Sequence, residues 1–259
     1  ALKMSDAGVI RWSKKYDVDT DGYTEYNIDR TMIQEISLDR YVFIAGQSVC
    51  IINDNGNMVK SVNLAYTESN NFTVFSGMTV HNDRIFLAGT GRAINIPFGI
   101  TELNTDLEIV DRARYRNLSS TQTSGGSGYY HIYPKNDLLY LAHSPSENRL
   151  LTSLNLNNNL APEKAIIIDG LSANSSQQSN KLEFTNSNFY FNYKEFGAST
   201  TSYFKFDWDL NCLWTKRNSI GIGAEEFQVF DNFIFLQESN RNVIKTNVEL
   251  EGNDCVETF

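Results

Sequence analysis

One short pattern recurs through this chain: an Asp or Asn, then a run of apolar residues of strand length. It occurs as Asp39-Arg40-Tyr41-Val42-Phe43-Ile44-Ala45, as Asp83-Arg84-Ile85-Phe86-Leu87-Ala88 and as Asp137-Leu138-Leu139-Tyr140-Leu141-Ala142. It returns as Asn188-Phe189-Tyr190-Phe191-Asn192 and as Asp231-Asn232-Phe233-Ile234-Phe235-Leu236. With Tyr41, Ile85, Leu138, Phe189 and Phe233 taken as equivalent, the steps are about 44, 53, 51 and 44 residues. The fullest copy, residues 39–64, adds a second apolar run (Val49-Cys50-Ile51-Ile52), an Asn53-Asp54-Asn55-Gly56-Asn57 turn and a third run. A unit of this length holds about four short strands and cannot bury both of its faces alone, so it must stack on its neighbours. The expected fold is all-β, a β-propeller of about six blades over a single domain, 1–259.

Within each repeat a further strand precedes the marked one, at residues 32–36, 73–80, 129–133, 182–185 and 227–230. Residues 1–16 begin in mid-repeat, with a strand at 1–4, a turn at Asp6-Ala7-Gly8 and a strand at 9–16 carrying Trp12. The count is thus five full repeats plus a half repeat. Either the chain forms a six-bladed ring with one reduced blade, or upstream strands are missing; ring closure within one blade favours the second. No stretch shows a capped 3.6-residue periodicity, so almost no helix is expected. Residues 117–128 and 171–180 have the Ser, Gly and Asn content of surface loops.

The 259 residues carry a net charge of −9, and the 22 basic residues are scattered, which argues against nucleic acid as a partner. No apolar stretch approaches the ~20 residues of a membrane span. With 29 Asn and only 4 Pro, turns must be built on Asn and Gly. Cys50, Cys212 and Cys255 form neither a CxxC nor a zinc spacing. Cys212 and Cys255 hold equivalent places in successive repeats, but the strands there diverge, and three free, mostly packed thiols are expected. Asn71-Phe72-Thr73, Asn117-Leu118-Ser119 and Asn174-Ser175-Ser176 are N-glycosylation sequons, compatible with secretion.

The segment Ala1-Leu2-Lys3-Met4-Ser5-Asp6-Ala7-Gly8-Val9-Ile10-Arg11-Trp12 resembles the repeat of quinoprotein-like (PQQ-type) β-propellers: an apolar strand, an Asp/Gly turn and a Trp four residues after the Gly. Phe204-Lys205-Phe206-Asp207-Trp208-Asp209-Leu210-Asn211-Cys212-Leu213-Trp214 is a looser copy without the Gly. The continuation through Tyr16 and Tyr41–Gly46 is similar to repeats of secreted propeller proteins. The resemblance implies the fold and carries no enzyme with it, for the chain has no vicinal Cys pair and no cofactor-contacting cluster.

The sharpest local motif is Asp17-Val18-Asp19-Thr20-Asp21-Gly22-Tyr23-Thr24-Glu25. Carboxylates at alternate positions converge on one hard cation, Gly22 permits the turn, and the Tyr23 carbonyl adds an oxygen. It resembles the calcium loops of integrin-type (FG-GAP) blades, which implies Ca2+ held by Asp17, Asp19, Asp21, Tyr23 and Glu25. It departs from the EF-hand at Ile28, where a bidentate Glu would stand. The competing reading is a solvated acidic loop.

Other candidates are read as structural. His81, His131 and His143 fall in or beside predicted strands, His81 in the second repeat and the other two in the third. Ser144 beside His143 makes no triad with Asp137, because adjacent strand residues point to opposite faces. Glu102, Glu183, Glu225 and Glu226 have no recurring partner for glycoside hydrolysis and are taken as surface charge. Tyr129, Tyr130 and Trp208 are taken as packing between blades rather than a sugar platform.

The reading is a non-enzymatic β-propeller module for binding or adhesion, extracellular or surface-associated, that recognises protein or glycan through its loop faces. The alternative is a structural protein, a subunit of an extracellular assembly such as an appendage or virion, self-assembling through the incomplete first blade. A propeller glycoside hydrolase is the third hypothesis.

Overall fold

The structure is a computed structural model that describes residues 1–16, 32–45, 47–64, 72–91, 98–115, 130–143, 149–168, 182–194, 201–218, 226–230, 233–237, 243–247 and 256–257. Among them every regular element is a β-strand. A two-stranded antiparallel hairpin, β1 (Leu2–Met4) with β2 (Ile10–Ser13), comes first. The first four-stranded sheet is β3 (Ile33–Ser37), β4 (Arg40–Ala45), β5 (Ser48–Asn53) and β6 (Met58–Asn63). The second is β7 (Phe72–His81), β8 (Arg84–Gly91), β9 (Phe98–Asn104) and β10 (Ile109–Tyr115). The third is β11 (Tyr130–Lys135), β12 (Leu138–His143), β13 (Arg149–Asn155) and β14 (Ala161–Ile168). The fourth is β15 (Leu182–Phe184), β16 (Asn188–Lys194), β17 (Thr201–Asp207) and β18 (Cys212–Asn218). The fifth is β19 (Glu226–Phe230), β20 (Phe233–Gln237), β21 (Val243–Asn247) and β22 (Val256–Glu257).

In every sheet the neighbours in sequence are the neighbours in space, so each is an up-and-down meander, the strand arrangement of one propeller blade. The strands expected from the repeat are all present, and β1–β2 is the expected half repeat. The residues divide into two compact units, one of 1–139 with 155–161 and one of 140–154 with 162–259.

In the first unit, β4 and β5 read as continuous apolar runs because both of their faces are covered. Val42, Ile44, Val49 and Ile51 turn to one side and pack on Ile85, Leu87 and Leu103 of the second sheet, all 1% exposed or less. Phe43, Cys50 and Ile52 turn to the other side, where Trp12 and Tyr16 cover them. In the second unit, Tyr190 and Tyr203 pack on Ile234 and Leu236 of the fifth sheet, with Trp214 and Val229 at the margin.

The fourth strands differ: β6 is exposed along nearly its whole length. Each of β2, β6, β10 and β18 also begins with a register shift, opposite Lys3/Met4, Ile51/Ile52, Leu103/Glu102 and Lys205/Phe206. The extra residues are Arg11, Val59, Val110 and Leu213. A bulge at the start of an edge strand twists that edge away from chance pairing with another chain.

Candidate functional site

The turn between the third and fourth strands repeats the same construction along the chain. Asn53 Oδ1 accepts hydrogen bonds from the N–H groups of Asn55 (3.1 Å) and Asn57 (2.9 Å). Asn104 Oδ1 does the same for Asp106 and Glu108, both at 2.9 Å. Asp207 Oδ1 accepts from Asn211 N–H at 2.8 Å, and in the β1–β2 hairpin Ser5 Oγ accepts from Val9 N–H at 3.2 Å. The side chain thus satisfies N–H groups that no strand can reach, which is why Asn and Asp are retained there.

The fourth residue of these turns is left-handed: Gly8 (φ 75), Gly56 (φ 69), Leu107 (φ 57) and Leu210 (φ 58). A leucine in this region is strained by roughly 1–2 kcal/mol. Leu107 and Leu210 are only 4% and 3% exposed, so burial of the side chain offsets that strain. At Gly56 the space is taken from outside, since a Cβ there would meet the Trp12 ring at 3.0 Å.

In the first four four-stranded sheets the second residue of this turn offers its carbonyl to a side chain from the preceding repeat. Trp12 Nε1 donates to the Asp54 carbonyl at 2.7 Å. Arg40 donates to the Thr105 carbonyl at 3.4 Å and Arg84 to the Leu156 carbonyl at 3.3 Å. In the second unit, Tyr140 Oη donates to the Trp208 carbonyl at 2.6 Å. Side chains in or just after the fourth strands add to this: Tyr16 donates to the Gly56 carbonyl at 2.9 Å, Tyr115 to the Leu160 carbonyl at 2.6 Å, and Lys164 to the Asp209 carbonyl. Much of the polar chemistry at these turns therefore joins one repeat to the next.

Several sequence candidates are accounted for in the same way. Glu102 is buried and is gripped by Arg84, Nε to Oε1 at 2.6 Å and Nη2 to Oε2 at 2.5 Å, so it is no surface charge. The sequence reading missed this because Arg84 lies one strand away and only the register brings the two together. Trp208 stacks on Phe184 at 6.0 Å and meets Tyr140 edge-on at 4.8 Å, the packing role expected for it. His81 Nε2 lies 3.1 Å from the Asn136 carbonyl. Cys50 and Cys212 are free thiols; Cys50 is buried beside Ser61 Oγ at 3.3 Å, and burial pushes its thiol up. Among the described residues no group of three or more His, Cys, Asp or Glu is placed to hold a metal ion. Asp17, Asp19, Asp21, Tyr23 and Glu25 lie outside the described residues, as do Tyr129, Glu225 and Cys255.

Two cations lie on the fourth strand of the second sheet. Arg112 and Arg114 alternate along β10, opposite Thr101 and Gly99, and so share one sheet face. Arg112 Nε is buried without a hydrogen-bond partner. Burial, and secondarily the Arg114 charge, push the Arg112 guanidinium below its ordinary range. On the same strand Ile109 and Val110 are 47% and 57% exposed, and on β6 of the first sheet Met58 and Val59 are 39% and 52% exposed.

No protein-family model matches this sequence, nor does any curated protein. Solved structures do match. The WD40 domain of Neurospora crassa Pan2 superposes with TM-score 0.56 at 10% identity, covering 85% of this chain and 61% of that one. A europium-containing methanol dehydrogenase gives TM-score 0.57 at 8% identity, over 82% of this chain and 48% of that one. A quinoprotein alcohol dehydrogenase-like protein from Bacteroides thetaiotaomicron gives 0.53 at 12% identity, over 88% and 53%. The chain thus spans about half to three fifths of the structures it resembles. At these identities the likeness is one of fold, and the fold is a β-propeller of the kind shared by quinoprotein-like and WD40 propellers.

Proposed function

We propose that this chain is a non-enzymatic propeller module that binds a protein or a glycan, displayed outside the cell or on a surface. The observation that carries the reading is the contrast between the turns and the fourth strands. The turns are hydrogen-bonded to side chains of the preceding repeat, whereas β6 and β10 present apolar side chains and cations to solvent. Exposed apolar residues grouped beside charge are the usual mark of an interaction surface. WD40 propellers are among its structural neighbours, which supports protein recognition as the first expectation. The Asp17–Glu25 loop would add a calcium site between blades, with Asp17, Asp19, Asp21, Tyr23 and Glu25 as ligands.

The test is a binding survey of the folded chain on immobilised extracellular proteins and glycans, with chromogenic glycosides assayed in parallel. Saturable binding without turnover is expected. Glycoside turnover abolished by replacing one carboxylate would instead make the chain a hydrolase.

A second reading, a structural subunit of an extracellular assembly, is favoured by β1. Among the described residues β1 pairs only with β2, which leaves one edge of β1 available to a strand from a neighbour. Size-exclusion chromatography across a concentration range separates the two, since a subunit would assemble and a binding module would elute as one species.

A further inference from the structure

We propose that the free edge of β1 receives an extended strand from a neighbouring polypeptide, and that this strand lays an apolar side chain over Ile33 and a lysine or arginine over Glu35. The inference rests on the second reading above, an assembling subunit, and names the chemistry its neighbour must offer.

The β1–β2 hairpin holds the place of the third and fourth strands of a sheet. It shares their turn, with Ser5 standing where Asn53 and Asn104 stand, and the register shift that follows. In all five four-stranded sheets the third strand is bonded along both edges, whereas β1 is bonded along one among the described residues. Ala1 and Lys14 exchange backbone hydrogen bonds in both directions. Such bonds alternate along an antiparallel strand, so the peptide groups of Leu2 and Met4 point away from β2.

The contacts of the hairpin fix what lies beneath that edge. Trp12 of β2 reaches the Asp54 carbonyl in the turn before β6, and Lys3 of β1 lies over the Tyr41 ring of β4 at 5.3 Å. One strand further in the same direction is β3, where Glu35 pairs with Tyr41 and Ile33 with Phe43. A strand added to β1 therefore lies over β3. Gln34 turns the other way, donating to the Met78 carbonyl at 3.3 Å and accepting from the Val80 N–H at 2.8 Å on the second sheet. Its neighbours Ile33 and Glu35 thus face the vacant place.

Exposure marks the vacancy. Ile33 is 49% exposed, yet Met78 and Leu182 are only 3% and 6% exposed. Those two pair with Leu87 and Phe191 as Ile33 pairs with Phe43, so the corresponding position is interior in both sheets. A strand over β3 would bury Ile33 in the same way. Glu35, two residues along the same face, is exposed and makes no ion pair among the described residues. A lone carboxylate beside an open edge selects a cation in the incoming strand, and a net charge of −9 draws basic partners at longer range. Main-chain bonds to β1 supply affinity and alternate side chains against β3 supply specificity, as in other strand additions.

The probe is a fluorescein-labelled peptide, Thr-Val-Thr-Lys-Thr-Val-Thr, compared by anisotropy with the same peptide carrying Glu for Lys. The Lys peptide is expected to bind about threefold more tightly, the worth of an exposed ion pair, and Glu35→Lys to reverse that order. Met4→Pro removes an outward N–H while β1 keeps its pairing with β2, and should weaken binding of the Lys peptide about tenfold. Thermal melts of each variant confirm that the fold persists. The proposal is overturned if neither peptide binds, if the wild type binds both equally well, or if folded Met4→Pro binds undiminished. Should the chain assemble in size-exclusion chromatography and Met4→Pro assemble equally well, the subunit reading stands and this site falls. Should the chain elute as one species at every concentration and bind neither peptide, both fall.

Discussion

The indole N–H of Trp12 donates to the Asp54 carbonyl at 2.7 Å, and the face of the same ring lies over Gly56. One side chain from the first hairpin thus caps a turn in the following sheet and closes over its left-handed residue. Lys3 reinforces the contact through an ion pair with the Asp54 carboxylate, and Tyr16 through the Gly56 carbonyl. The hairpin is docked by polar bonds to a turn as well as by apolar packing on Phe43 and Ile52.

Gly56→Ala should therefore destabilise twice over, through a left-handed alanine and through a Cβ pressed against the ring. We expect a loss of about 2–3 kcal/mol in urea denaturation. Trp12→Phe keeps most of the packing and loses the hydrogen bond, at about 1 kcal/mol. An unchanged midpoint for Gly56→Ala would mean that Trp12 does not cover this turn.

The Arg84–Glu102 pair makes a different prediction. Glu102 is almost wholly buried while Arg84 keeps about a third of its side chain in water. Removing Arg84 alone, as Arg84→Met, strands a buried carboxylate and should cost about 3 kcal/mol or more. Combining it with Glu102→Leu should recover much of that loss, since an apolar pair of similar volume is often neutral. A double variant no better than Arg84→Met, measured by chemical denaturation, would refute this account.

Asp207 connects the turn to pH. Burial alone would raise its carboxyl, but hydrogen bonds from the Asn211 side chain, from the Asn211 and Asp209 N–H groups, and the Lys164 charge hold it below the ordinary range. A depressed carboxyl contributes stability above its unfolded value near ~3.9, and loses it as the pH falls through the lower folded value. Melting midpoints followed downward from about pH 5 should fall less steeply in Asp207→Asn than in the wild type.

Thiol reactivity should separate the two described cysteines. In a Cys255→Ser background, Cys212 is exposed and should react with a chromogenic disulfide in the native state at once, whereas buried Cys50 should wait for unfolding. Rapid release of two equivalents by the native protein would show that the face covering Cys50 opens readily.

Calcium is tested by thermal melts in EDTA and in millimolar Ca2+, with Asp19→Ala and Asp21→Ala alongside. A specific site should add about 2.7 kcal/mol at a hundredfold excess over its dissociation constant. Coincident melts for wild type and variants would reduce the loop to acidic surface.

The repeat, the strand order and the places of the first two strands of each repeat were legible in the amino-acid sequence, because each depends on local pattern. Apolar runs such as Val42-Phe43-Ile44 alternate between two faces that must both be buried, and Asn53 or Asn104 closes a turn with its own side chain. The Trp12 and Trp214 positions after those turns were visible for the same reason. What the sequence left undecided depends on residues far apart in the chain. Only the tertiary structure shows that Glu102 is held by Arg84, that Leu107 and Leu210 bear the strain Gly56 avoids, and that Trp12 occupies the space beside Gly56. Only the register turns Arg112 and Arg114 to one face and leaves a buried Nε without an acceptor. Local pattern specifies strands and turns through bonds made within a few residues; the partner of a charge is settled only when separate strands are brought side by side.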